Sequence, residues 1–158
     1  MKTFIRRAVW IAVLAAPGMV LAVTPDAAHS RETRQMNTAN QDVEVARHLI
    51  DLHFEIWNDP NPANWAAKFP KVYSHRFFVA DESGVASGYE AVGKLIKTVQ
   101  GGHPGFVFTP DPITWNHGVG RVTWGYGPRD PPELVRGEDI FTIEGGRLAS
   151  ARVFINRK

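Results

Sequence analysis

The chain has 158 residues, 44% of them apolar and 22% charged, which suits one soluble domain with one core. It has no cysteine, so disulfides, thiolate catalysis, Cys-ligated zinc and lipid attachment through a Cys are excluded. Its formal charge of +2 falls to −1 without Lys2, Arg6 and Arg7 of the first 22 residues, which leaves little electrostatic reason to bind nucleic acid.

Those three cations form a positive n-region. Ala8 to Ala16 is an apolar stretch, Pro17-Gly18 breaks it, and Val20-Leu21-Ala22 precedes a cut after Ala22. The pattern predicts a secretory signal peptide over 1–22 and a periplasmic or secreted mature protein. The apolar run is shorter than the ~20 residues that cross a bilayer, so no membrane span is expected in the mature form. Residues 23–40 are polar and lack an apolar period, which predicts a disordered leader before a domain over 41–158.

Apolar residues then recur in steps of three and four from Asp42 to Trp57, through Val45, Ala46, Leu49, Leu52, Phe54 and Ile56. This predicts an amphipathic helix with Asn40 as its N-cap, stopped by Asn58-Asp59-Pro60-Asn61-Pro62. A short second helix is expected over Ala63 to Phe69, with Trp65 and Phe69 inward. Phe77–Ala80 and Val85–Ser87 flank the turn Asp81-Glu82-Ser83-Gly84 and read as a hairpin. Val92, Leu95, Ile96 and Val99 share one face of a third helix over Tyr89 to Gln100, ended by Gly101-Gly102.

The remainder reads as strand: Phe106 to Asn116, Val119 to Gly127, Leu134 to Glu144 and Arg147 to Asn156, separated by Gly- and Pro-bearing turns. Pro110 and Pro112 predict a bend or break in the first of these. Helices followed by a long, strongly curved antiparallel sheet give an α+β fold, with the three helices covering the buried face of the sheet.

Three stretches carry a family likeness: the first helix with the Trp65–Phe69 lead into the hairpin; Ser87-Gly88-Tyr89-Glu90-Ala91-Val92 opening the third helix; and Gly137 to Leu148 with Ala151-Arg152-Val153-Phe154. Over about Val43 to Asn156 the chain resembles the SnoaL-like branch of the nuclear transport factor 2 superfamily, which includes ketosteroid isomerases. The resemblance implies a cystatin-like roll, a cone-shaped sheet wrapped on the three N-terminal helices with a pocket at its wide end, and a homodimer.

Asp139 is the leading site candidate. Side chains alternate along a strand, so it shares a face with Val135, Gly137, Phe141 and Ile143. A carboxyl on an apolar face is expected to have a raised pKa and to serve as acid, base or neutral donor. Gly137 beside it is expected to leave room for a ligand. In the resemblance Asp139 matches the protonated oxyanion-hole Asp of ketosteroid isomerases. The alternative is a structural carboxylate bonded to Arg121, Arg136 or Arg152. Asp81 matches their general base if the hairpin is two residues shorter, and otherwise Val79 stands there. Asp81-Glu82-Ser83-Gly84 is also ordinary turn chemistry. His53 and Trp57 lie one helical turn apart on the apolar face. Family members often carry a Tyr from this helix in the pocket, and His53 is a donor or base in its place, or a satisfied core residue. Trp57, Trp65, Phe78, Tyr126 and Phe141 are expected to contact the substrate. Trp124 reads as core packing.

No cofactor is expected, because no phosphate loop, nucleophile elbow or dinucleotide fingerprint occurs. No metal is expected either. His48 and His53 are ~140° apart around a helix, and His75, His103 and His117 lack ligand spacing. The chemistry that fits is cofactor-free proton transfer on a small apolar or aromatic molecule, of isomerase, cyclase, dehydratase or lyase type. The other readings are a non-catalytic binding protein for a hydrophobic ligand or partner, and a dimer whose cone is filled.

Overall fold

The computed structural model describes residues 25–129 and 134–156, and the expected signal peptide lies outside them. Helix α1 spans Pro25–Asn58. It therefore takes in most of the expected leader, and Asn40 lies inside the helix instead of capping it. The segment is rich in good helix formers and, after Pro25, holds no Pro or Gly, so nothing in its backbone stops the helix. Its C-terminal part has a core face, on which Ala46, Leu49, Ile50, His53, Phe54, Ile56 and Trp57 are buried. Val45, expected on that face, is 48% exposed.

Pro60 follows α1, and α2 begins at once over Pro62–Val72. Asn61 is its N-cap, accepting from the Ala63 amide at 3.0 Å, and Pro62 fills the first position, where no amide is needed. The helix outruns the expected end at Phe69 and carries Pro70 in its last turn.

Strand β1 (Tyr73–Asp81) starts four residues earlier than expected and pairs with β2 (Gly84–Ser87). Helix α3 (Gly88–Gly102) follows. The first meander strand is broken as its prolines require, into β3 (Phe106–Pro110) and β4 (Thr114–Asn116). Both pieces pair with β5 (Val119–Pro128). The turn from β4 into β5 uses His117 (φ 42°) and Gly118 (φ 88°), two left-handed residues whose twist suits a two-residue hairpin. Strands β6 (Val135–Glu144) and β7 (Arg147–Asn156) complete the seven-stranded sheet, ordered β2-β1-β7-β6-β5-β3 with β4 on β5.

The fold is the expected α+β arrangement of three helices on a curved, mostly antiparallel sheet. One pair departs from antiparallel: β1 and β7 run parallel, because the meander brings the last strand back beside the first in the same direction. The helix faces meet the inner sheet face in a single core, built on Phe77, Val79, Val122, Phe141 and Leu148. Tyr73 and Phe77 stack with centroids 4.0 Å apart. Among the described residues, no helix is long and apolar enough to cross a membrane.

Phe77 is fully buried at the junction of helix layer and sheet. Phe77→Ala is expected to lower unfolding free energy by about 3–5 kcal/mol, measured by urea denaturation. A loss below about 1 kcal/mol would contradict this packing.

Candidate active site

A cavity of about 350 Å³ lies between the inner sheet face and helices α1 and α3. Phe54, Val79, Leu95, Phe108, Val153 and Ile155 give it an apolar, partly aromatic lining. Asp139, His53, Asp81, Trp124 and Tyr126 are among the few residues that add polar groups.

Asp139 sits on the inward face of β6, between buried Gly137 and Phe141, and is 5% exposed. Its Oδ1 accepts a hydrogen bond from the Trp124 indole at 2.9 Å. The arginines that could have neutralised it are engaged elsewhere: Arg121 with Glu138 at 2.7 Å, Arg136 with Asp111 at 2.9 Å, and Arg152 with Ser150 at 3.1 Å. Burial pushes the Asp139 carboxyl up to about 7, and the Trp124 hydrogen bond opposes the rise only in part.

His53, from the last turns of α1, lies 3.8 Å from Asp139 through Nε2 and Oδ2, too far for a direct hydrogen bond. Its Nδ1 is 2.9 Å from the Tyr73 hydroxyl. The ring is fixed by stacking on Trp57 at 5.6 Å and by the edge contact with Phe141 at 4.9 Å. Burial pushes the imidazole down to about 3. His53 is therefore neutral at pH 7, and the two groups do not form an ion pair. Tyr73 is also fully buried, which raises its hydroxyl above the ordinary range; the Trp57 indole beside it opposes that rise and the Asp139 charge adds to it. The Trp57 indole N–H is itself buried and completes no hydrogen bond.

Trp124 is the site residue that sequence reasoning missed. Its signal is a register: β5 pairs Val122 with Asp139 and Trp124 with Gly137, so the indole lies across Gly137 and reaches Asp139 two residues on. A methyl group on Gly137 would overlap the Trp124 ring and come within 2.9 Å of the Phe154 carbonyl. The space expected there for a ligand is occupied by the indole.

Asp81 ends β1 and lines the cavity, one pleat step beyond Val79, which lines it too. Its Oδ1 also serves the turn, accepting from the Ser83 amide at 2.7 Å, the Ser83 hydroxyl at 2.6 Å and the Gly84 amide at 3.1 Å. All three bonds fall on one oxygen. Trp57 and Tyr126 line the cavity as expected. The other three expected contacts lie elsewhere. Trp65 is a core residue whose indole donates to the Asp59 carbonyl at 2.9 Å. Phe141 is fully buried behind His53. Phe78 is on the outer sheet face under the Arg152 guanidinium, 5.1 Å from its ring centre, because strand alternation sends Phe77, Val79 and Asp81 inward and Phe78 outward. His103 and Thr98, near the end of α3, complete the lining and were not foreseen. Among the described residues, no group of three or more His, Asp or Glu is placed to hold a metal ion.

No protein-family model matches the chain, and no curated protein matches its sequence. Solved structures do match its fold. A SnoaL-like family protein from Agrobacterium tumefaciens superposes with a TM-score of 0.65 at 14% identity, over 70% of this chain and 96% of that one. A candidate polyketide cyclase from Sinorhizobium meliloti gives 0.55 at 19% identity, over 67% and 93%. A protein of cystatin-like fold from Methylobium petroleophilum gives 0.60 at 13% identity, over 73% and 78%. The chain has the fold common to SnoaL-like and nuclear transport factor 2-like proteins.

Two predictions follow from the site. Asp139 has its folded pKa raised above the unfolded value, so its contribution to stability is present below about 4 and is lost as pH rises to about 7. His53 has its folded pKa lowered, so its contribution is present above about 6.5 and is lost as pH falls toward about 3. The two slopes oppose each other between pH 4 and 6.5. Asp139→Asn should expose a stability that climbs with pH there, and His53→Gln one that falls, each by up to ~1.4 kcal/mol per pH unit in denaturation titrations. Slopes of the same sign in both variants would refute the assignment. Separately, Gly137→Ala should cost about 1–3 kcal/mol and move the Trp124 indole N–H resonance, since the ring can no longer lie over β6. An unmoved resonance would contradict the contact.

Proposed function

We propose that the protein is an exported enzyme performing cofactor-free acid–base chemistry on a small apolar or aromatic molecule that carries a carbonyl or hydroxyl group. The reaction is of isomerase, cyclase, dehydratase or lyase type. One observation carries the reading: a carboxyl held near neutrality by burial, without a cationic partner, in the wall of an apolar cavity. The n-region, apolar stretch and cleavage pattern of residues 1–22 support export. The fold neighbours support the reaction class, since the Agrobacterium protein is described as a candidate isomerase and the Sinorhizobium protein as a candidate polyketide cyclase.

The residues divide the work by their hydrogen bonds. Trp124 occupies Oδ1 of Asp139, so Oδ2 is the oxygen that carries and transfers the proton. Asp81 keeps Oδ2 outside its turn bonds and is the base. With a β,γ-unsaturated ketone, Asp81 Oδ2 takes a proton from the carbon between the carbonyl and the double bond. The C–H electron pair becomes the C=C bond, and the carbonyl oxygen receives the Asp139 proton. Asp81 returns its proton to the γ-carbon of the dienol, the enol O–H proton goes back to Asp139, and the double bond has moved into conjugation, which completes an isomerisation. His53, uncharged throughout, contributes a polar contact beside Asp139.

Asp139→Asn should fold normally and lose about 10²–10⁴-fold in turnover, measured on a panel of apolar ketones and hydroxy compounds. Wild-type turnover should fall as pH rises through about 7, where Asp139 loses the proton it delivers. Equal turnover in the variant ends the proposal. A wild type that binds panel members without converting any of them moves the reading to a binding protein.

A further inference from the structure

Tyr73 and Trp57 belong to no part of the scheme above, yet both are buried against His53. An indole N–H is only ever a donor, a tyrosine hydroxyl can be either, and a neutral imidazole has one nitrogen of each kind. These valences leave few ways to arrange the protons. The Trp57 N–H completes no hydrogen bond and, as a donor, cannot take the Tyr73 proton. Tyr73 then directs its own proton to the 2.9 Å contact with His53 Nδ1. Nδ1 is thereby an acceptor, and the His53 proton must sit on Nε2. At the other end the Trp124 N–H occupies Asp139 Oδ1. The donor-only Trp124 thus closes the Asp139 end of the chain Tyr73–His53–Asp139, and the Tyr73 hydroxyl, whose hydrogen bond goes to Nδ1, sets its direction at the other.

We infer that Tyr73 is a positioning residue that locks His53 in its Nε2–H tautomer, so that His53 meets the ligand as a hydrogen-bond donor and not as a base. The consequence lies in the 3.8 Å between His53 Nε2 and Asp139 Oδ2. When Asp139 is protonated on Oδ2, both atoms present hydrogen to the same cavity wall, and neither can accept from the other. One acceptor oxygen of a ligand satisfies both. When Asp139 is ionised, Nε2–H is already turned toward it, and the pair accepts a ligand hydroxyl through the carboxylate. The opposite tautomer would make Nδ1–H the donor to Tyr73 and leave the Tyr73 hydroxyl proton without an acceptor among the described residues. The cavity is thereby matched to a carbonyl in one protonation state and to an alcohol or phenol in the other.

The inference deepens the proposed function only in the role it gives His53, and its test needs neither substrate nor turnover. The wild-type protein, labelled with ¹⁵N, would be examined by long-range proton–nitrogen NMR. The expected result is a neutral His53 protonated on Nε2, favoured roughly tenfold or more, since the other form strands the buried Tyr73 hydroxyl proton. A slowly exchanging Tyr73 hydroxyl proton should also correlate with Nδ1. Tyr73→Phe removes one oxygen and should shift His53 toward a mixture of tautomers. An Nδ1–H form or an even mixture in the wild type overturns the inference, as does a missing hydroxyl correlation or an unchanged tautomer in Tyr73→Phe. The wild-type spectra decide the matter even if the variant does not fold. A locked Nε2–H tautomer in a protein without turnover would end the enzymatic proposal and leave this one standing.

Discussion

The site depends on one unfavourable placement, an ionisable carboxyl moved from water to an apolar cavity wall. A desolvated carboxylate needs compensation, and the usual source is a nearby arginine. Three arginines are available on β5, β6 and β7, but each is held by a partner away from Asp139. A single indole N–H is the direct hydrogen bond it receives. Burial therefore outweighs stabilisation of the charge, and the group stays protonated to near neutrality. His53 meets the same constraint with opposite sign, since its charged form is the protonated one. Two titratable groups 3.8 Å apart are both neutral over a wide pH range for one shared reason, the dryness of the cavity wall.

The position of that carboxyl is fixed by a missing side chain. Trp124 and Gly137 face each other across β5 and β6, and the indole spreads over the space a Cβ would fill. This is close backbone approach of the kind that only glycine permits. It also explains why a large aromatic on a sheet face acts as part of the polar site, because its apolar body packs in the core and its N–H reaches the carboxyl. Packing and electrostatics are here the same contact.

The hydrogen-bond chain behind the cavity extends this logic from position to direction. A group that can only donate stands at the Asp139 end, and groups that can do either, His53 and Tyr73, stand behind it. In water such a chain would exchange orientations freely. In a buried aromatic cluster each reversal leaves a polar atom without a partner, so one orientation dominates. What the ligand meets is a surface whose His53 donor is chosen by Tyr73, which stands behind the cavity wall.

The sequence by itself determined the local events. Period three-and-four stretches gave the helices, Pro110 and Pro112 the broken strand, and alternation along β6 the burial of Asp139 and the direction of its pKa shift. Alternation also held the answer for Phe78, which lies on the opposite side of β1 from Asp81 and so could not share its cavity. Helix α1 begins at Pro25, ahead of the apolar period, because a polar stretch can still form helix when nothing breaks it. Only the tertiary structure decided the partners. Whether Asp139 met an arginine or an indole depended on the register between β5 and β6, and whether His53 met Tyr73 depended on how α1 lies on β1. Periodicity reports which face of an element is buried. It carries no information about which residue of another element lies opposite, and the chemistry of a buried group is set by that residue.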